Sequence, residues 1–389
     1  MSTLPYRIPS QGSSLFPGRP AAPVACPRSR RARHQQLWSP SQQPNWPSAR
    51  PLVPQAVAAA APPPSPQAPV YSGSYYPDSD PPGEEELGWR TDFRQQYLIG
   101  KLLGQGSFGQ VYLGVDLHTG KEVAVKVLPK VRGKLSRDKT LEKLAREVDI
   151  LERLQSCPGV IQLEDVFEDA QNVLIVTELC AGGDLQKFAE DNGGLDETSL
   201  AMVALEVLKI VSACHEAGLL HGDIKPGKQQ TGCSSWLKAI DFGCSQFLGS
   251  RRLSKRTGTP VYMAPELYSR DYYSEADMWS LGVMLYQLYA RRFPFWDSME
   301  SCRASKLEEV AQAVTQAPIS YSFGPWMTMS PNGRAFIQAC LSRDPAARLS
   351  VQEALQHPWL QPLQAHMKQQ QEAFSMSLTA PVPAAVSTA

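Results

Sequence analysis

Hydrophobic and polar positions change their period along this 389-residue chain. Between residues 97 and 128, alternating and β-branched runs are punctuated by Gly, which predicts a meander of strands. Between 137 and 154, Leu141, Leu144, Val148, Leu151 and Leu154 recur at three- and four-residue spacing, the mark of an amphipathic helix. Beyond Gly183 the helical period dominates and predicts helices over 197–217, 275–290, 305–314, 331–341 and 350–356. The expected class is α+β: a small antiparallel β lobe with one major helix (97–179), then a larger, mainly helical lobe (180–361).

The two ends lack such a pattern. Residues 1–77 contain no Asp or Glu, carry Arg at 7, 19, 28, 30, 31, 33 and 50, and are otherwise mostly Pro, Ala, Ser and Gln. Such a Pro-, Ala- and Ser-rich segment cannot bury enough apolar surface to offset its ordering entropy, so residues 1–90 are expected to form a disordered extension. Arg- and Ser-rich, acid-free composition is also that of a transit peptide, and the Ala/Pro bias points to a plastid rather than a mitochondrion. A cytoplasmic arm is the alternative. Residues 362–389 are Gln-rich, then Ala/Pro-rich, and are expected to be a flexible tail.

Charge and cysteine usage narrow the partners. With 38 basic and 38 acidic residues, no net field steers the chain to nucleic acid. No run approaches 18 apolar residues, so no membrane insertion is expected. Eight cysteines without C-x-x-C pairs argue against a zinc site or disulfide framework and for a reducing compartment.

Candidate chemistry begins at Leu103-Gly104-Gln105-Gly106-Ser107-Phe108-Gly109-Gln110-Val111, a Gly-rich run between strand-like segments. Glycines let backbone N–H groups approach phosphates, although this spacing alone fits a dinucleotide fold equally well. The next element decides: it is a strand, Val123-Ala124-Val125-Lys126-Val127, not a helix. Its Lys126 has a natural ion-pair mate in Glu147 on the amphipathic helix, whereas Glu142 and Glu152 fall off the apolar stripe. Further on come His221-Gly222-Asp223-Ile224-Lys225-Pro226-Gly227-Lys228, Asp241-Phe242-Gly243 and Ala264-Pro265-Glu266.

These ordered motifs resemble those of eukaryotic serine/threonine protein kinases over residues 97–361. Within that family, Glu178-Leu179-Cys180-Ala181-Gly182-Gly183-Asp184-Leu185 and His357-Pro358-Trp359-Leu360 look like the calcium/calmodulin-dependent group, nearest to plant calcium-dependent kinases. The resemblance implies ATP and Mg²⁺ as cofactors and proteins as substrates. It assigns the nucleotide to Leu103, Gly104, Gly106, Gly109, Val111, Ala124, Lys126, Glu178 and Cys180, with Thr177 as gatekeeper. By the same resemblance Lys126 and Glu147 position the phosphates, Asp223 the acceptor hydroxyl and Asp241 the metal, and Lys225 meets the transferred phosphoryl group. Glu266 is expected to pair with Arg348, and Asp277 to brace the catalytic loop. Cys180 and Cys244 fall near this site, with small buried hydrophobe as the plain reading.

Several positions depart from the family. No segment has the EF-hand form D-x-D-x-D-G-x5-E, so direct calcium binding does not transfer. The tail around Lys368 has few basic residues, which argues against calmodulin binding. Gly222 replaces the Arg that clamps an activation-loop phosphate, and Lys255 stands where that phosphoresidue usually does. Lys228 replaces a metal-binding Asn, and an ammonium has no lone pair to offer Mg²⁺. Either one metal position is weakened or the Lys cation itself neutralises phosphate charge. The following run, 229–235, is polar and reads as strand-poor, with Gln230 where the floor under adenine belongs. An impaired relative and a misplaced exon boundary between 226 and 237 both fit that local defect. Asp184 suggests recognition of basic residues, while Gly227 and Gln287 weaken that preference.

Overall fold

The computed structural model describes residues 87–379 other than 107, 108, 132 and 134, and all of them fall in one compact unit, Pro69–Ala389. Expectations for 1–86 and 380–389 lie outside the described residues. The small lobe runs α1 (Phe93–Gln96), β1 (Tyr97–Gly106), β2 (Gly109–Asp116), β3 (Glu122–Pro129), α2 (Arg137–Arg153), β4 (Leu163–Glu168) and β5 (Asn172–Glu178). Its five strands form one antiparallel sheet in the order β1-β2-β3-β5-β4. The register puts Val111 opposite Lys126, and Ala124 opposite Thr177.

The large lobe follows with α3 (Leu185–Asp191), α4 (Glu197–Glu216), β6 (Leu219–Leu220), β7 (Gln229–Thr231), β8 (Leu237–Ala239), β9 (Gln246–Phe247), α5 (Pro265–Ser269) and α6 (Glu275–Ala290). It ends with α7 (Met299–Ala304), α8 (Leu307–Gln316), α9 (Pro331–Cys340), α10 (Val351–Leu355) and α11 (Gln361–Thr379). The α+β, two-lobed architecture is the one the hydrophobic pattern implies. α4 has the length and apolarity to cross a membrane by composition, which the 18-residue reading of the sequence did not register. Its Leu200, Val203, Val207 and Leu208 are buried in the large-lobe core together with Trp279 and Leu285 of α6, as in the central helix of a water-soluble core.

α2 forms because Ser136 caps its first turn, accepting the Lys139 N–H, and because its apolar stripe has a surface to cover. Leu144, Val148 and Leu151 pack into one cluster with Phe242, which links the helix to the site below.

Four stretches depart from the sequence expectations. Residues 87–90, assigned there to the extension, dock on the small lobe. The Glu168 carboxylate accepts the N–H groups of Leu87 and Trp89 while pairing with Lys130 in full burial, and Arg90 lies over the Phe167 ring. Residues 362–379, expected to be part of a flexible tail, belong to α11 (Gln361–Thr379), anchored where Leu363 and Met367 pack on the large-lobe core. The run expected to be strand-poor holds β7, paired in register with β8: Gln229 with Ala239, Gln230 with Lys238, Thr231 with Leu237. Finally, Cys180 and Cys233 form a disulfide between the segment after β5 and the β7–β8 turn. Cysteines 53 residues apart carry no local spacing signal, so the reading of no disulfide fails here. Cys157, Cys214, Cys244, Cys302 and Cys340 are free thiols.

Candidate active site

The site lies where β3, α2, the loop after β6 and the residues after β8 converge. Lys126 leaves β3 opposite Ile175, and its Nζ lies 2.5 Å from Glu147 Oε1 on α2 and 3.2 Å from Asp241 Oδ1. Burial alone would lower the Lys126 pKa, but the two carboxylates outweigh it and raise it well above the ordinary lysine value. Glu142 and Glu152 are exposed, as their positions off the stripe require.

Asp241 is pulled into place from three sides. Oδ1 accepts the Gly243 N–H at 3.0 Å as well as Lys126, and Oδ2 lies 3.0 Å from Lys228 Nζ. Burial would raise its pKa, yet the two ammonium groups and the N–H hold it below the usual carboxylate range. Its neighbour Phe242 turns inward, buried under α2 and 5.1 Å from the His221 ring.

The catalytic-loop segment is built on Asp277, a fully buried carboxylate of α6. Its oxygens accept the N–H groups of His221 and Gly222, each at 2.9 Å, and it pairs with His215 Nε2 at 3.0 Å. Gly222 adopts φ +76°, which a side chain there would resist. The next residue, Asp223, accepts the Thr259 N–H at Oδ1 (2.8 Å), while Oδ2 lies 2.6 Å from Lys228 Nζ and 3.5 Å from Lys225 Nζ. Desolvation works against its charge, but Lys228, Lys225 and Thr259 together depress its pKa. Lys225 also donates to Thr259 Oγ1 at 2.7 Å.

The residues assigned to the nucleotide divide into two groups. Gly104 and Gly106 have open space where a Cβ would project, and Leu103 is exposed beside them. Gly109 is different: a Cβ there would lie 2.2 Å from the Val127 carbonyl oxygen, so sheet packing alone demands glycine. Val111 and Ala124 are half-buried on β2 and β3. Glu178 uses its side chain to pair with buried Lys238 at 2.5 Å and to accept from Ser234 at 2.7 Å. Cys180 is half-buried, its sulfur bonded to Cys233 rather than lying as a free apolar thiol.

Other motif residues support this frame. Glu266 and Arg348 form a buried bidentate pair at 2.5 and 3.0 Å. The activation segment is tied down without a phosphate: Leu253 pairs with Tyr272, Arg252 reaches Asp271 and Glu275, and the Tyr272 hydroxyl donates to the Lys255 carbonyl. Sequence reasoning missed how far Lys228 reaches and what Thr259 does. The run Gly258-Thr259-Pro260, just ahead of Ala264-Pro265-Glu266 in the sequence, is the one signal for the second, and nothing in the spacing announces the first.

A five-stranded lobe with a Lys–Glu pair to its helix, above a helical lobe carrying the Asp223 and Asp241 carboxylates, defines a protein-kinase domain. Residues 97–360 match the family model described as protein kinase domain. The chain belongs to the protein-kinase family. It is 37% identical over 286 residues to calcium-dependent protein kinase 7 of Oryza sativa subsp. japonica, covering 72% of this chain and 51% of that protein. It is 36% identical over 302 residues to calcium-dependent protein kinase 20 of the same plant (75% and 53% covered). It is also 36% identical over 277 residues to calcium-dependent protein kinase 14 of Arabidopsis thaliana (69% and 50% covered). The chain thus spans about half the length of the curated relatives it matches.

Proposed function

We propose that the chain is an ATP-dependent serine/threonine protein kinase of reduced turnover. The observation that carries this reading is the assembled trio Lys126, Glu147 and Asp241, with Lys126 bonded to both carboxylates. Lys126 holds the nucleotide phosphates, Glu147 fixes Lys126, and Gly104 and Gly106, which have no described atom within 4 Å of where a Cβ would project, let the backbone approach the phosphates. Asp241 presents the kind of carboxylate that Mg²⁺ accepts, although among the described residues no group of three or more His, Cys, Asp or Glu is placed around one point. Asp241 would hold a magnesium ion at that point, and the ion would supply positive charge against the nucleotide phosphates.

Asp223 orients the hydroxyl of the acceptor Ser or Thr and takes its proton as the phosphoryl group transfers. The Thr259 N–H aims the carboxylate, and Lys225, bonded to Thr259 Oγ1, meets charge on the moving phosphoryl group. Lys228 at 2.6 Å weakens Asp223 as a proton acceptor, which is why turnover is set low. Kinases turn over at about 1–100 per second, and losing about 3 kcal/mol of transition-state stabilisation lowers that more than a hundredfold. Purified protein with labelled ATP and a generic protein substrate tests the reading. Incorporation above that of Asp223→Asn is expected; equal signal leaves a nucleotide-binding scaffold, the reading the Lys228–Asp223 contact favours.

The activation segment needs no phosphate on this reading, because Arg252, Leu253 and Tyr272 already pin it. Substrate preference for basic residues is weak. Asp184 Oδ1 caps α3 by accepting the Lys187 N–H, and Gln287 is buried against Gln186. Calcium dependence belongs to the relatives' names and is not carried over. We assign the Arg-rich, acid-free start to plastid import, with a cytoplasmic location as the alternative. A fluorescent fusion of residues 1–90 that stays outside plastids rejects that assignment.

A further inference from the structure

The second metal position of a kinase site is incompatible with the residues present here. Lys228 Nζ lies between the two carboxylates, 2.6 Å from Asp223 Oδ2 and 3.0 Å from Asp241 Oδ2. The residue is almost fully buried and its backbone is strapped at both ends. Its N–H donates to the Lys225 carbonyl at 3.1 Å, and its own carbonyl accepts the Ile240 N–H at 3.2 Å. It is thereby fixed to the loop that carries Asp223 and to the residue that precedes Asp241.

The charges close on themselves. Lys126, Lys225 and Lys228 face Glu147, Asp223 and Asp241, three cations against three carboxylates. With a neutral residue at 228, Asp223 and Asp241 would lose the cation between them, and the cluster would carry one uncompensated negative charge. Mg²⁺ or Mn²⁺ at that point needs oxygen ligands and meets an ammonium instead, which offers only donors and a like charge.

We propose that the Lys228 ammonium is the resident cation of this nucleotide site, replacing one of two divalent ions, so that ATP binds with a single divalent cation. This rests on the ATP-binding reading above. A tethered cation cannot leave with the nucleotide, so the site keeps its positive charge between turnovers and loses the dependence on a second metal.

The test is to titrate Mn²⁺, followed by its electron paramagnetic resonance signal, into the full chain saturated with a non-hydrolysable ATP analogue. One bound Mn²⁺ per nucleotide is expected for the wild type and two for Lys228→Asn, which restores the oxygen ligand. Two ions in the wild type, none at all, or one in a folded Lys228→Asn protein each overturn the assignment. A second readout covers a variant that does not fold. Wild-type affinity for a fluorescent ATP analogue should change by less than about threefold between about 0.1 and 10 mM free Mg²⁺, once the first ion is bound. A gain of about tenfold over that range overturns the proposal. Wild-type protein that binds no nucleotide with any divalent ion overturns the ATP reading as well, whereas two ions on a nucleotide-loaded chain overturn the role of Lys228 alone.

Discussion

The backbone N–H of Thr259 donates to Asp223 Oδ1 at 2.8 Å, so the end of the activation segment aims the Asp223 carboxylate directly. The bond depends on Gly258, which adopts φ +99° and packs against the Gly222 carbonyl. A Cβ at 258 would lie 2.4 Å from that oxygen. Gly258→Ala should cost about 1–3 kcal/mol of stability and, by moving Thr259, lower kcat about tenfold or more. Thermal unfolding and initial rates measured on one preparation check both effects, and an unchanged rate would show that Thr259 does not aim Asp223.

Gly222 offers the opposite experiment, a return to the family residue. At φ +76° its added Cβ would meet the Cys244 carbonyl oxygen at 3.0 Å. Gly222→Arg should therefore destabilise by about 1–2 kcal/mol and bring no gain in activity, since Lys255 leaves no phosphate to clamp. Urea unfolding reads the first effect and a kinase assay the second.

Ser254→Ala should leave activity within about twofold of wild type, because Leu253 and Lys255 on either side are held through their backbones and losing an exposed serine hydroxyl changes free energy by about 0.5 kcal/mol or less. Thr257 is a poor site for a phosphate in this arrangement. Its hydroxyl already donates to the Cys244 carbonyl and accepts from Gln246. Mass spectrometry alongside the assay shows whether unphosphorylated protein has full activity.

Gln229 marks a defect that can be repaired. It is fully buried on β7, and among the described residues neither its Oε1 nor its Nε2 has a hydrogen-bond partner. A buried amide left unpaired costs about 1–3 kcal/mol, so Gln229→Leu should stabilise the protein by about that amount without touching Asp223. A midpoint that does not rise in urea unfolding rejects this.

Periodic and paired features could be read before the fold was seen. The α2 stripe announced the helix and, through it, the face on which Glu147 meets Lys126. Asp277 under the loop and Glu266 with Arg348 were implied by the resemblance to the protein-kinase family. What stayed hidden depends on contacts that leave no local trace. β7 is polar because the sheet partner and the segment after β5 define it, so strand propensity misreads it. Residues 87–90 are ordered by Glu168, some 80 positions away in the chain. Lys228 could be recognised as a misfit, but only the folded loop shows its ammonium between two carboxylates.

The Cys180–Cys233 bond has a topological consequence. It closes a ring 53 residues apart in sequence, and Asp223, Lys225 and Lys228 lie inside that ring, whereas Lys126, Glu147 and Asp241 lie outside it. In the chain-entropy picture such a closure removes about 4 kcal/mol of freedom from the unfolded chain. A protease cut within the ring would therefore leave the two fragments covalently joined until a reductant separates them, with Asp223, Lys225 and Lys228 on the loop that was opened.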